Sequence, residues 1–415
     1  MTELLANDFR VLYESEDPQN IYAYTPGICR LDSGRLVATM DQGGPGVAAL
    51  DGPKGFRGEG KNGWQGIVWT SDDHGDTWVE RARFPFMHAR PFEAGDRVYI
   101  LGHDADLMII ASDDGGETWT DPVAMSEGQH WHQSACNVIH ANGAAYLVME
   151  RRTRFEHRGW PVSELAPVLM KGPHDRDLTN VSNWTFASEL SFYEVEDEFG
   201  QIPVPFFDRG EVAPRRGMSA CGWLETNVVQ FKDPNQIWYD PDGRTFHLWM
   251  RAHTGGTGFA CVAKVVEGDD GSMSTMLEKT PSGKPFLYVP CPGGQMRFHI
   301  LYDDQTELFW LLGSVSTDST HRPDRLPANR YNLPNNERHV QGLHYSKNCI
   351  DWIPAGIVAK GNSPGESRHY ASMVIDGDDL HILSRSGDHR AKTAHDGNLI
   401  THHTVRGFRS LVLVD

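Results

Sequence analysis

The segment Ser71-Asp72-Asp73-His74-Gly75-Asp76-Thr77-Trp78 recurs about forty residues later as Ser112-Asp113-Asp114-Gly115-Gly116-Glu117-Thr118-Trp119. Both copies follow the pattern S-x-D-x-G-x-T-W. In such a segment the aspartate accepts hydrogen bonds from the amides of its own turn, glycine supplies unusual dihedral angles, and tryptophan covers the sheet beneath. Weaker versions lie at 179–184 and 346–352. The spacing predicts a repeated β-unit.

Six pairs of apolar runs, each joined by a short polar turn, independently predict six antiparallel hairpins. The turns are Asp32-Ser33-Gly34, Glu93-Ala94-Gly95, Ala141-Asn142-Gly143, Pro241-Asp242-Gly243, Asp303-Asp304-Gln305 and Asp376-Gly377-Asp378. In the fourth pair, 236–239 is taken as the first strand. Helical periodicity is scarce, so we predict an all-β, six-bladed propeller; a seventh blade within 190–214 stays open.

The whole chain, 1–415, is expected to form this single propeller domain, with long loop insertions near 190–222 and 316–341. Two strand-like runs, 9–13 and 411–414, are predicted to close the ring and remove exposed sheet edges. The turns of the S-x-D-x-G-x-T-W segments are expected between the third and fourth strands of their blades.

Bulk composition excludes several classes of function. The formal net charge of −18 over 415 residues argues against nucleic acid as a partner. No apolar stretch approaches the roughly 20 residues of a membrane span. The six cysteines form no C-x-x-C pair and are interpreted as buried free thiols. The first residues lack a signal-peptide pattern, so the protein is expected in the cytoplasm if Met1 is the natural start, and otherwise secreted or periplasmic.

The S-x-D-x-G-x-T-W segments resemble the Asp-box (BNR) repeat of the sialidase superfamily of β-propellers. The resemblance covers nearly the whole chain as a scaffold and implies a sialidase-like, carbohydrate-active protein. The repeat itself speaks for the scaffold rather than for the chemistry.

Polar residues recur where the innermost strand of each predicted blade begins, and these positions converge on one pocket in a propeller. We predict catalytic roles for Tyr370, Asp233, His132, His299 and Asp41. We predict substrate-binding roles for Tyr24, His88, Arg90, Gln133, Asn235, Arg297, Arg368, His369 and Glu366. Gln295 and His130 belong to the same set of strand starts.

Several arginines around one pocket would bind a carboxylate bidentately, which suggests an acidic sugar such as a sialic or uronic acid. The resemblance implies that Tyr370 is the nucleophile and that Arg297 and Arg368 belong to a carboxylate-binding arginine triad. Where the family has an R-I-P motif this chain reads Tyr24-Thr25-Pro26-Gly27, without the arginine. Asp41 is a loose counterpart of the family's acid/base aspartate.

Three functions remain open at this point. The first is a glycosidase acting on an acidic sugar. The second is a lyase that uses histidine and Tyr370 to cleave a uronate glycan by β-elimination. The third is a carbohydrate-binding propeller without catalysis. The substrate is expected to be an oligosaccharide or glycoside, with no nucleic-acid or membrane partner, and the oligomeric state is undetermined. No cofactor is predicted, although a divalent metal at His130 and His132 is compatible with their spacing.

Overall fold

The computed structural model describes residues 3–56, 62–132, 136–158, 160–199, 210–213, 216–218, 221–326 and 336–413. Six antiparallel sheets of four or five strands form the blades of a propeller ring, which confirms the predicted fold class and blade number. Within the described ranges one α-helix, α1 (Phe192–Phe199), is present. No helix in these ranges is long and apolar enough to cross a membrane.

The strands follow one another blade by blade. Strand β1 spans Arg10–Glu14, and blade 1 contains β2 (Tyr22–Ala23), β3 (Gly27–Arg30), β4 (Leu36–Gly43), β5 (Gln65–Ser71) and β6 (Val79–Phe84). Blade 2 contains β7 (Met87–Ala94), β8 (Arg97–Asp104), β9 (Asp106–Ser112) and β10 (Val123–Ala124). Blade 3 contains β11 (Trp131–His132), β12 (Ile139–Ala141), β13 (Ala144–Arg152), β14 (Leu165–Pro173) and β15 (Thr185–Phe186).

Helix α1 and a hairpin of β16 (Gly210–Ala213) and β17 (Arg216–Met218) come between blades 3 and 4. Blade 4 contains β18 (Gly222–Val229), β19 (Thr245–His253), β20 (Phe259–Glu267), β21 (Met273–Met276) and β22 (Tyr288–Pro290). Blade 5 contains β23 (His299–Asp303), β24 (Leu308–Ser314), β25 (Val340–Ser346) and β26 (Ile353–Lys360). Blade 6 contains β27 (Arg368–Asp376), β28 (Asp379–Ser386) and β29 (Leu399–Val405).

The first strands of the blades surround the axis. Strand β3 contacts β7 and β27, and β27 in turn contacts β23, which contacts β18. All six first strands run in the same direction, so their starting ends share one face of the ring, here called the site face. The turns that follow them lie on the opposite face, called the far face. Apolar residues of adjacent blades pack between the sheets, with Trp223, Trp249 and Trp310 fully buried.

The amino-terminal strand completes the last blade. Strand β1 pairs with β29 in an antiparallel register that places Arg10 opposite His402. The prediction of a closing strand near 9–13 is therefore confirmed, but its expected partner at 411–414 is wrong. Leu411 belongs to a 3-10 helix, Phe408–Leu411, because Phe408 packs edge-on against Trp310 of blade 5 at 4.9 Å and draws the chain out of the sheet.

The two repeated segments form the turns between the third and fourth strands of blades 1 and 2, as predicted. In blade 1, the Gly75 amide donates to Ser71 Oγ at 2.8 Å, the Thr77 amide donates to Asp73 at 2.8 Å, and the Trp78 indole donates to the Gly75 carbonyl at 3.1 Å. The second copy repeats these bonds through Ser112, Asp114, Gly116, Thr118 and Trp119. All six cysteines are present as thiols, as predicted, and five of them are buried.

The prediction that 236–239 is the first strand of blade 4 is wrong. The first strand is β18, and the chain between β18 and β19 is a long connection on the far face. Asp233 and Asn235 are exposed in this connection, where the Asp233 carboxylate accepts a hydrogen bond from the Asn235 amide at 2.8 Å. Such an aspartate–asparagine turn satisfies its own polar groups, so it needs no strand partner.

The hydroxyl of the repeated serine is expected to carry much of the stability of its turn. In Ser112→Ala the buried Gly116 amide loses its acceptor, and an unsatisfied buried donor costs about 1–3 kcal/mol. We expect a lower urea midpoint for this variant. The exposed Ser282→Ala should stay within about 0.5 kcal/mol of wild type. Equal midpoints for the two variants would contradict the assignment.

Candidate active site

Three first strands begin with a bulge, and each bulge holds a residue other than glycine in the left-handed region. These residues are His88, Glu225 and Tyr370, with φ of 54°, 57° and 50°. Such a conformation costs about 1–2 kcal/mol per residue and persists where the surroundings enforce it, most often at functional sites. All three lie on the site face.

Tyr370 and Glu225 meet across the ring through Arg251 of β19. Arg251 Nη1 donates to the Tyr370 hydroxyl at 2.6 Å and lies 3.2 Å from Glu225 Oε2. Tyr370 is itself hydrogen-bonded to Glu225. All three residues are buried. Burial raises the pKa of Tyr370 above its ordinary value although Arg251 opposes this shift, so the phenol is neutral at pH 7. Its oxygen accepts from Arg251, and its proton faces a carboxylate.

Two further arginines lie against the same ring. The guanidinium carbons of Arg338 and Arg385 are 5.5 and 5.4 Å from the centroid of the Tyr370 ring. Arg385 also lies 4.0 Å from the centroid of Tyr24. Arg338 is oriented by Asn336 Oδ1 at 3.1 Å and by His369 Nδ1 at 3.0 Å. Three guanidinium groups therefore surround one phenol.

Asp41 is a fully buried carboxyl group at the end of β4. Its Oδ1 accepts a hydrogen bond from the amide of the strained His88 at 3.0 Å, and its Oδ2 has no hydrogen-bond partner among the described residues. Burial raises the pKa of Asp41 to about 7 although Arg90 and Arg385 oppose the shift. About half of the Asp41 carboxyl groups therefore carry a proton at pH 7, and a pKa near the working pH suits a general acid.

Three histidines form a row of contacting rings on the side of blades 2 and 3, here called the histidine wall. His88 Nδ1 lies 3.0 Å from His103 Nε2, and the His132 ring lies 6.4 Å from both. His132 Nε2 accepts from the Trp160 indole at 3.0 Å. Burial lowers the pKa of His103 to about 3 and that of His88 well below its ordinary value, so both rings are neutral.

A second protonated carboxyl, Glu150 of β13, lies beneath this wall. Its Oε1 accepts from the amide and the hydroxyl of Thr226 at 3.0 and 2.8 Å. Burial raises the pKa of Glu150 to about 8 against these hydrogen bonds. Thr226 follows Glu225 in the bulge of β18, so Glu150 fixes the backbone that presents Glu225.

The structure brings some of the predicted site residues together and separates others. The residues that cluster on the site face are Tyr24, Asp41, His88, His132, His369 and Tyr370. Gln295 supports this cluster because its carbonyl accepts from Arg251 Nε at 2.9 Å. Gln133 lies outside the described residues.

Arg90, Arg297 and His299 lie deeper along the axis. Arg297 donates to the carbonyl of Ala371 at 3.1 Å and to Ser372 Oγ at 2.9 Å, and thus holds β27 from behind. His299 Nδ1 accepts from the Met373 amide at 2.7 Å. Arg90 and His299 line a separate cavity of about 600 Å³ that opens on the far face.

Five of the predicted residues lie away from this cluster. Asp233 and Asn235 are on the far face, as described above. Arg368 turns outward, where its guanidinium stacks over Phe9 at 4.9 Å and donates to the Gly387 carbonyl. Glu366 accepts from the side chain of Asn362 in the loop before β27. His130 is exposed and packs against Phe155, whereas His132 is buried.

Sequence reasoning missed most residues on the second strands. His103, Glu150, Arg251 and Arg385 each follow the hairpin turn of their blade by seven or eight residues, as Asp41 does. A second strand runs back to the site face, so its end meets the start of the first strand. This spacing is a signal that the sequence contained. Glu225 was missed because the inner strand of blade 4 was misplaced, and Arg338 comes from the loop before β25.

Comparison with known proteins supports the sialidase-like propeller fold. No family model and no curated protein sequence matches the chain. Among solved structures, Trypanosoma rangeli sialidase matches with a TM-score of 0.53 and 13% identity, covering 97% of this chain and 60% of that one. The chain thus spans about three fifths of the length of the trypanosomal sialidase chains it matches.

Two shorter proteins match along nearly their whole length. The intramolecular trans-sialidase from Ruminococcus gnavus has a TM-score of 0.52 and 12% identity, covering 98% of this chain and 99% of that one. An α-L-arabinofuranosidase from Fusarium graminearum has a TM-score of 0.50 and 13% identity, with coverage of 99% and 100%. At this identity the matches establish the fold of the chain.

The neutral carboxyl of Glu150 predicts a specific dependence of stability on pH. Between the ordinary value of 4.5 and about 8, the folded protein holds a proton that the unfolded chain has lost, so rising pH destabilises the fold. Glu150→Gln carries no such proton. We expect its stability relative to wild type to rise with pH, by up to about 1.4 kcal/mol per unit, in urea unfolding between about pH 5 and 8. A pH-independent difference would contradict a protonated Glu150.

Proposed function

We propose that the protein is a glycosidase that removes an acidic sugar from the end of a glycan, with Tyr370 as the nucleophile. The observation that carries this proposal is the contact of the buried Tyr370 hydroxyl with Arg251 and Glu225. A phenol whose oxygen accepts from a cation and whose proton faces a carboxylate is prepared to lose that proton as it attacks.

The substrate class follows from the charges around Tyr370. Arg251, Arg338 and Arg385 present three cations, whereas Glu225 is the carboxylate in direct contact with this group. Guanidinium groups bind carboxylates bidentately, so the excess positive charge favours an anionic sugar. A neutral tyrosine also suits such a substrate, because a carboxylate nucleophile would be repelled by the negative charge of the sugar.

The reaction can be written in two balanced steps. Tyr370 Oη attacks the anomeric carbon and transfers its proton to Glu225, while the glycosidic C–O bond breaks and the leaving oxygen takes the proton of Asp41. Water then attacks the glycosyl-tyrosine, loses a proton to Asp41, and releases Tyr370, which recovers its proton from Glu225. The two displacements retain the configuration of the anomeric carbon.

The similar solved structures support a sugar as the substrate. They include sialidases, a trans-sialidase and an arabinofuranosidase. A glycan is therefore the expected partner of this chain.

A second candidate function is β-elimination on a uronate glycan. It is favoured by the neutral His88 and His103, because an unprotonated imidazole can remove a proton next to a carboxylate that arginines neutralise. This reaction adds no water and leaves an unsaturated sugar.

The deciding experiment incubates the purified protein with sialosides, uronate glycans and neutral arabinosides. Released sugar and ultraviolet absorbance are followed together. We expect release of an acidic sugar without absorbance, and retention of configuration by NMR. Absorbance that rises with cleavage would establish the lyase instead. Cleavage of neutral arabinosides alone would refute the acidic substrate, and binding without cleavage would establish a carbohydrate-binding propeller.

Tyr370→Phe is expected to lower kcat by at least about a thousandfold, because the attacking oxygen is lost. The matched control is Tyr24→Phe, which removes the hydroxyl of another pocket tyrosine, one that donates to Asp396 at 2.7 Å. We expect the control to keep kcat within about tenfold of wild type. Similar kcat values for the two variants, measured on the best substrate of the panel, would rule out Tyr370 as nucleophile.

Asp41→Asn tests the general acid. Since the pKa of Asp41 is about 7, wild-type kcat should fall as the pH rises above that value. The variant should lose this limb of the pH profile and about 10²–10⁴-fold in kcat on a natural glycoside. An aryl glycoside, whose leaving group departs without a proton, should lose far less. Equal losses on both substrates would assign Asp41 a different role.

A further inference from the structure

On the far face, three potential metal ligands meet at the seam between blades 6 and 1. His74 Nδ1 lies 2.5 Å from Asp376 Oδ2, and His381 Nε2 lies 3.6 Å from the same oxygen. His74 belongs to the turn between the third and fourth strands of blade 1, and Asp376 and His381 belong to β27 and β28. We propose that these three side chains bind a divalent transition metal of the zinc class, and that the metal joins the last blade to the first.

The hydrogen-bond chain behind His381 fixes which of its nitrogens carries a proton. His402 makes a hydrogen bond with the backbone of Gly75, and its Nε2 lies 3.0 Å from His381 Nδ1. Because Nε2 of His402 faces His381, we assign its bond with Gly75 to the other ring nitrogen, Nδ1, which donates to the Gly75 carbonyl. Neutral His402 therefore accepts at Nε2, and His381 must donate from Nδ1.

With its Nδ1 proton donated to His402, a neutral His381 presents the lone pair of Nε2 to Asp376 Oδ2, 3.6 Å away. Two acceptors 3.6 Å apart with no proton between them repel each other, and a cation placed between them removes that repulsion. The second ring, stacked on His381 at 5.2 Å, serves as the outer partner that metal-bound histidines usually have.

The donor set selects the metal. Two imidazoles and one carboxylate suit zinc and its neighbours, whereas calcium and magnesium prefer oxygen ligands. Ligands at about 2.0–2.2 Å from a tetrahedral centre lie about 3.4 Å apart, close to the observed separation of His381 and Asp376. The side chain of His74 is 73% exposed, so it can withdraw from Asp376 to make room. A fourth position stays open to water.

The charges at the site also admit a cation. Asp376 Oδ1 binds Arg30 Nε at 2.6 Å and leaves Oδ2 for the histidines. The carboxylates of Asp73 and Asp379 lie close enough to influence His74 and His381 respectively. The Arg406 guanidinium also influences His381, so a divalent ion would be surrounded by three carboxylates against two guanidinium groups.

The experiment titrates zinc chloride into protein stripped with a chelator, by calorimetry and by thermal unfolding. We expect one zinc per chain and a rise in Tm on zinc addition. His74→Gly removes a ligand at a position where φ is 59°, a conformation that glycine adopts freely, so the metal-free variant should fold at least as well as wild type. His74→Gly and His381→Gln should each weaken zinc binding at least about tenfold and abolish the rise in Tm.

The matched control is His140→Ala, which breaks the exposed pair of His140 and His174, 3.1 Å apart on the same face. Its zinc affinity should equal that of wild type. Loss of binding in the control but not in His74→Gly, or no stoichiometric zinc binding by wild type, would overturn the proposal. Glycan cleavage is not needed for any of these measurements, so the outcome is independent of the proposed function.

Discussion

The pairing of β1 with β29 closes the ring, and the placement of every functional group depends on that closure. A blade packs its apolar faces against two neighbours, so the last blade must meet the first before either is buried. Closure by the amino-terminal strand leaves β27 free to line the axis as the first strand of blade 6. Tyr370 at the start of this strand then faces Glu225 of blade 4 across the ring.

The ionisable residues of the candidate site are concentrated where the regular sheet is interrupted. Three first strands carry a bulge at their starting end, and the bulges turn His88, Glu225 and Tyr370 toward the axis. Their left-handed conformations are held from behind. Glu150 binds the backbone after Glu225, and Arg297 binds the backbone after Tyr370. The residues that stabilise the strained conformations therefore differ from the strained residues themselves, and this explains why Glu150 and Arg297 are buried beneath the strand starts.

The sequence predicted the scaffold well because turn chemistry is local. A serine, an aspartate and a tryptophan at fixed spacing form the same hydrogen bonds in both repeats. The position of Tyr370 at the start of β27 could be predicted because the short turn after this strand is recognisable, and Tyr370 lies one strand length before it. Glu225 was not predicted as a site residue, because the apolar run around Ile237 has the sequence pattern of a strand and was taken as the first strand of blade 4. In the structure Ile237 is 71% exposed. Arg338 belongs to a loop whose position depends on contacts with His369. Such contacts cannot be predicted from a periodic pattern in the sequence.

The proposed binding of an anionic sugar is compatible with the net charge of −18, because the surface charge and the charges at the site act over different distances. Salt screens exposed charges beyond about 8 Å, so the acidic surface contributes little inside the pocket. Three guanidinium groups lie around Tyr370, and Asp41, a buried carboxyl influenced by Arg385, is held mostly neutral up to about pH 7. The local field is therefore positive where a carboxylate would bind, while the distant field slows its approach. The local field determines the strength of binding, and the local and distant fields together determine the rate of association.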